Sequence, residues 1–152
     1  MLTPEQVLDL IPQQRPFRFI DRLVELGEAS AVGEYTFRDD ETFYAGHFPG
    51  HPVTPGVILI ETMCQTGLVA LGIHLLGMEL PEREVAKTVT LFTDAEVEFE
   101  RVVGPGETVR VSAEKMFWRR RKLKSKVELK LADGTYVAGG TVSGMGVARE
   151  QF

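Results

Sequence analysis

At 152 residues, with 43% hydrophobic and 26% charged positions, the chain has material for one soluble core rather than several domains. A formal net charge of −5 excludes the excess of positive charge that a general nucleic-acid surface requires. The lone cysteine, Cys64, rules out an internal disulfide and suits a reducing compartment.

A short amphipathic helix is expected from Pro4 to Leu10. Glu5 and Asp9 stand among its apolar residues with no basic region ahead, so the N-terminus does not read as a secretion signal and a cytoplasmic location is expected. Period-two patterning follows, with Ala31, Gly33, Tyr35 and Phe37 alternating against Val32, Glu34 and Thr36 as a strand with one wet face. The stretch from Gly46 to Gly56, containing His47, Pro49, Gly50, Pro52 and Pro55, leaves no run in which a helix or central strand could form. Thr54 and Pro55 then read as an N-cap and a first helical proline, which starts a helix at about Pro55.

From Val57 to Leu76 that helix is apolar nearly all round, so protein should surround it. Glu61, Thr62, Gln65, Thr66, Gly67, Gly72 and His74 interrupt it too often for a membrane span, by the expectation of about 20 predominantly apolar residues. Cys64 falls inside it as a small buried side chain and not as a metal ligand. Glu61 and Gln65 stand four apart on one face. A buried, unpaired carboxylate costs several kcal/mol, about the penalty left after relaxation. Glu61 should therefore be protonated, hydrogen-bonded or at the mouth of a cavity.

Beyond the helix, strands are expected over 95–100, 109–114 and 123–131, the last with Leu123, Ser125, Val127, Leu129 and Leu131 on one face and mainly lysines on the other. Gly104-Pro105-Gly106 marks a turn, and Asp133-Gly134 closes a hairpin onto a strand through Tyr136, Ala138, Gly140 and Val142. No repeat or linker divides the chain, so residues 1–152 read as one α+β domain in which an antiparallel sheet curls around a long central helix. Arg119, Arg120, Arg121, Lys122, Lys124 and Lys126 make a basic stretch on an acidic protein. A solvated strand face accounts for such a run, and so does a surface that steers an acidic partner.

Gly46-His47-Phe48-Pro49-Gly50-x-Pro52-Val53-x-Pro55-Gly56-Val57, followed by Glu61-x-Met63-x-Gln65, resembles the active-site signature of the 3-hydroxyacyl-carrier-protein dehydratases of the FabZ type. The likeness extends to Ile11-Pro12, Arg15-Pro16-Phe17, Ile20-Asp21-Arg22 and Val103-x-Pro105-Gly106, and so covers most of the chain. It implies a hotdog fold, a homodimer with active sites shared at the subunit interface, and often a trimer of such dimers. It also implies His47 from one subunit and Glu61 from the other as catalytic residues, with an acyl carrier protein presenting a phosphopantetheine-linked chain as partner. No cofactor, metal, nucleic acid or membrane is expected. A glutamate at position 61 favours plain dehydration without double-bond migration. Thr54, where methionine is usual, and Cys64, where alanine is common, depart from the family's pattern.

Dehydration needs two groups in opposite protonation states. Histidine, with an ordinary pKa of about 6.5, serves as a neutral base near pH 7. A carboxyl group in an apolar setting is held protonated by desolvation. His47 is thus the candidate base at C2 and Glu61 the candidate acid for the leaving hydroxyl. Gly56, whose N–H opens the helix, is the candidate donor to the thioester oxygen, with Val57 beside it at the acyl group and Gln65 orienting the Glu61 carboxyl. His51 and His74 read as exposed or structural. A hotdog thioesterase and a non-catalytic acyl-binding subunit are the competing readings.

Overall fold

The alternating segments fold into six strands in the computed structural model, which describes residues 1–151. They are β1 (Arg22–Leu26), β2 (Ser30–Thr36), β3 (Thr88–Phe99), β4 (Thr108–Arg119), β5 (Lys122–Leu131) and β6 (Tyr136–Ala148). The sheet order is β1-β2-β4-β5-β6-β3, and every neighbouring pair is antiparallel. The inward rows carry Ala31 and Tyr35 of β2, Val109, Val111 and Ala113 of β4, and Leu123, Val127 and Leu129 of β5, all buried. They close on Leu59, Met63, Leu68, Leu71 and Leu75 of a central helix that runs from Gly56–Gly77.

The far side of that helix is covered by other elements. Val69, Ala70, Ile73 and Leu76 pack against Val7 and Ile11 of the N-terminal segment, Ile20, and Val85 of a short helix, Glu82–Val85. The expected N-terminal helix is present at Pro4–Leu10, closed by a capping box between Thr3 and Gln6. The expectation that interruptions disqualify the central helix as a membrane span needs correction. Its interrupting residues are mostly uncharged, and by length and composition it is sufficient to cross a membrane. What sets it apart is that 72% of its most apolar window is buried inside the protein.

Midway, residues Gln65–Ala70 widen into a π-helical stretch. Here the Ser125 hydroxyl donates to the Gly67 carbonyl at 2.7 Å, placing a side-chain donor on an oxygen of the helix. Helix and sheet approach closely at this point: a Cβ on Gly67 would lie 2.8 Å from Val127 Cγ1 and 3.2 Å from Ala113 Cβ.

The cap of the central helix and the start of β3 differ from the sequence expectation. The helix begins at Gly56, and Pro55 is the N-cap, its carbonyl accepting from Ile58 at 2.9 Å and Leu59 at 3.1 Å. Thr54 is no cap, because its hydroxyl is engaged with Tyr44. β3 starts seven residues earlier than its first expected position and lies at the sheet edge, so of its expected inward residues only Val97 is half-buried against the core, while Ala95 and Phe99, like the added Leu91 and Phe92, are exposed in the single chain.

The β4–β5 connection was not foreseen. Arg120 and Arg121 both adopt positive φ, 51° and 63°, in a two-residue hairpin that ordinarily asks for Asn-Gly. The Asp133-Gly134 turn, by contrast, has its Gly134 at φ 90° and an Asp133 side chain accepting from the Thr135 N–H at 2.9 Å. Replacing Arg120→Asn together with Arg121→Gly should relieve the left-handed strain, a gain of about 1–2 kcal/mol. In thermal denaturation at fixed protein concentration, Tm should rise by roughly 3–6 °C.

Candidate active site

His47 is set in a nested loop. The Val53 N–H donates to the His47 carbonyl at 2.8 Å, and Phe48 and His51 exchange backbone bonds of 2.9 and 2.8 Å at the tip. Gly50 takes a φ of 72° inside that tip. The His47 ring stacks on Phe48 with centroids 4.0 Å apart. Its Nδ1 lies 2.8 Å from the Val53 carbonyl oxygen. A carbonyl only accepts, so Nδ1 carries the hydrogen, and in the neutral ring Nε2 keeps its lone pair. The tautomer of the His47 ring is thereby selected by the backbone.

Glu61 lies in the second turn of the central helix, where burial pushes its carboxyl pKa up and a hydrogen bond from Gln65 partly offsets the rise. Gln65 is fully buried and its amide is wholly used. Its Oε1 accepts from the Phe19 N–H at 2.6 Å, and its Nε2 donates to the Phe17 carbonyl at 3.0 Å and to Glu61 Oε2 at 2.8 Å. The two backbone partners fix the amide's orientation chemically, one being a donor and the other an acceptor. Glu61 Oε2 is thus an acceptor, which leaves Oε1 to carry a proton. Each polar atom of Gln65 has a partner within the chain, and its Nε2 touches the Glu61 carboxyl, the contact expected of a residue that orients it.

Gln65→Leu would orphan the buried Phe19 N–H and take the partner from the partly buried Phe17 carbonyl. The expected cost is about 2–5 kcal/mol. Urea unfolding would register it as a lower midpoint with an unchanged slope.

The Glu61 carboxyl faces a cavity of about 20 Å³ lined also by Gln13, Cys64, Leu68, Val69, Thr90 and Phe92. Gln13, Thr90 and Phe92 are additions that sequence patterning did not supply. Gln13 follows Pro12 in an irregular segment, and the other two belong to the part of β3 that escaped the strand pattern. Cys64 is a buried free thiol whose pKa burial raises well above its ordinary value. His47 is not part of this lining.

The remaining candidates sort cleanly by position. Gly56 and Val57 open the helix, and among the described residues neither N–H has a hydrogen-bond acceptor. Val57 is 72% exposed, projecting from the chain instead of packing in its core. The Phe99 ring lies 3.3 Å from where a Gly56 Cβ would be, so the glycine makes room for an aromatic face. His51 is exposed. His74 is buried near the end of the helix, and desolvation lowers its pKa, keeping it neutral and structural.

Comparison with known proteins places this geometry. The model of the FabA-like domain matches residues 11–142. A 3-hydroxyacyl-[acyl-carrier-protein] dehydratase FabZ from Chloroflexus aggregans is 38% identical over 135 residues, covering 88% of each chain. Another of that name, from Herpetosiphon aurantiacus, is 38% identical over 143 residues, covering 92% of this chain and 94% of its own. Among solved structures, a dehydratase heterocomplex from Xenorhabdus doucetiae superposes with a TM-score of 0.76 at 14% identity, covering 99% of this chain and 95% of its own. A thioesterase from Haemophilus influenzae gives 0.67 at 14% identity, with coverage of 98% and 93%. At such identities these two speak for the hotdog fold alone. The sequence relatives decide the family, and the chain belongs to the FabA-like family, among its FabZ-type 3-hydroxyacyl-carrier-protein dehydratases.

Proposed function

We propose that this chain removes water from 3-hydroxyacyl thioesters carried on an acyl carrier protein, giving the trans-2-enoyl thioester, with His47 as base at C2 and Glu61 as acid at the C3 hydroxyl. The assignment is supported by the contrasting settings of the two side chains, a histidine bonded to a backbone carbonyl and a carboxyl in a mostly apolar interior. The Val53 carbonyl holds the His47 hydrogen on Nδ1 and leaves Nε2 to accept, while an apolar setting favours the protonated form of Glu61. The proton leaves C2 for Nε2, the C3–O bond breaks, and the Glu61 proton completes the departing water. Charge arising on the thioester oxygen falls to the Gly56 N–H at the positive end of the helix, with Val57 alongside.

The site is completed by a second copy of the chain. The cavity beside Glu61 is not lined by His47, and β3 offers an open ladder edge flanked by exposed Leu91, Phe92 and Phe99. Pairing of two such edges makes a homodimer with shared sites, from which a trimer of dimers is the next level of assembly. Each subunit is one domain spanning the chain, working in the cytoplasm. The basic stretch around Arg119–Lys126 draws in the acidic carrier by long-range attraction.

Incubating the protein with a panel of 3-hydroxyacyl carrier proteins, followed by intact mass spectrometry, tests the reading. Loss of one water from the acyl group is the expected result. Release of free acid and carrier thiol would establish a thioesterase instead, and an unchanged substrate that stays bound would establish an acyl-binding subunit.

A further inference from the structure

The loop that carries His47 is tied to the interior at one place by side chains. Three nested contacts build it: Phe48 with His51 at the tip, His47 with Val53 in the middle, and Tyr44 with Thr54 at the base. The first two are made largely by backbone groups of exposed or half-exposed residues. The third is a hydroxyl–hydroxyl hydrogen bond of 2.6 Å between side chains only 5% and 3% exposed.

Its surroundings are rigid on both arms. The Tyr44 ring stacks edge-on to Phe43 with centroids 4.7 Å apart, Phe43 meets Phe19 at 6.1 Å, and the Tyr44 N–H donates to the Glu41 carbonyl at 3.2 Å. Glu41 is itself held by the Tyr35 hydroxyl and the Arg38 N–H. On the other arm the Thr54 N–H donates to the Val103 carbonyl at 2.9 Å, and the next residue is the N-cap of the central helix. Val53, whose carbonyl selects the His47 tautomer, immediately precedes Thr54 in the chain.

We infer that the Tyr44–Thr54 hydroxyl pair is a positioning device: it clamps the base of the loop so that the Val53 carbonyl meets His47 Nδ1 and the Gly56 N–H stays aimed at the reaction centre. The inference rests on His47 being the base, and it is stated for two residues that touch neither substrate nor reacting atoms. Without the bond, two buried hydroxyls lose their partners and the arms of the loop separate by rotation about Tyr44 and Thr54. The His47 ring then exchanges between tautomers and orientations. Misplacement of a reacting group by an ångström costs up to about 100-fold in rate.

Tyr44→Phe and Thr54→Val remove one hydroxyl each with little change of shape, and Thr54→Ser keeps it. Nitrogen-labelled imidazole spectra, with the His47 signals identified by their loss in His47→Asn, should show the Nδ1–H form in the wild type and in Thr54→Ser. Both forms should be mixed in Tyr44→Phe, Thr54→Val and the double variant. In turnover of 3-hydroxyacyl carrier protein, kcat should fall between about 10-fold and 100-fold in each single variant, with KM held within about twofold, and the double variant should be no slower than the worse single. Unchanged His47 signals in folded Tyr44→Phe or Thr54→Val would overturn the inference. So would a Thr54→Ser protein that behaves like Thr54→Val, which covers the case where loss of the hydroxyl prevents folding. The spectra read the clamp without reference to turnover, so a wild type that makes no enoyl product would sink the dehydratase reading separately.

Discussion

Replacing His47 with asparagine is expected to lower kcat/KM for a 3-hydroxyacyl carrier protein by about 10²–10⁴-fold, the range that a positioned general base contributes. The protein should otherwise remain intact. His47 is half-exposed, its ring stacks on the neighbouring Phe48, and the backbone bond from Val53 survives the substitution. Asparagine also keeps a side-chain N–H that can reach the Val53 carbonyl, so the loop retains its form while losing the Nε2 lone pair. Circular dichroism and the sizing profile should match the wild type. The loss should appear in kcat more than in KM, because proton abstraction is a transition-state contribution. Turnover within about threefold of the wild type would assign the base elsewhere, since no general base contributes so little.

Glu61→Gln should cost about 10²–10⁴-fold in kcat for the same reason on the acid side. Glutamine still offers an oxygen to the Gln65 amide, so the local hydrogen bond persists. The substitution has a second expected consequence, opposite in sign. Burial raises the Glu61 pKa, so the folded chain holds its proton to higher pH than the unfolded chain does. The stability this provides is full below the unfolded value and is lost as pH rises through the folded value. Glu61→Gln has no such dependence. Wild-type and variant Tm should therefore draw apart as pH rises through that window, the variant becoming the more stable. A Tm difference that stays constant as pH rises from below the unfolded carboxylate range would mean that burial does not raise the carboxyl's pKa in the folded protein. With Glu61 in its proposed role as acid, the same ionisation should close the alkaline side of the wild-type rate profile.

Patterning read the parts of the fold that bury something within one chain. Leu123 to Leu129 alternate into the core and the central helix is apolar where the sheet touches it, so both were legible. Asp133-Gly134 was legible because glycine is the residue its φ requires. The Arg120-Arg121 turn was not, since arginine carries no turn preference and the chain tolerates its strain. β1 was missed for its brevity, and a register shift between Phe92 and Asp94 broke the alternation of β3. At the site, the loop histidine and the helix carboxylate stood out through residue type and setting. The roles of Thr54 and Gln13 did not, because they depend on Tyr44 and on the cavity beside Glu61, partners far away in sequence.

The Gln65 amide joins Glu61 to the backbone of Phe17 and Phe19 through one planar group. The N-terminal segment is therefore more than a cover for the helix. Lifting residues 17–19 away would let the amide turn, strip the carboxyl of its fixed acceptor role and admit water to it. The Phe19 amide hydrogen becomes a native reporter of this state: for as long as it resists exchange with solvent deuterium, the Glu61 carboxyl is held in place.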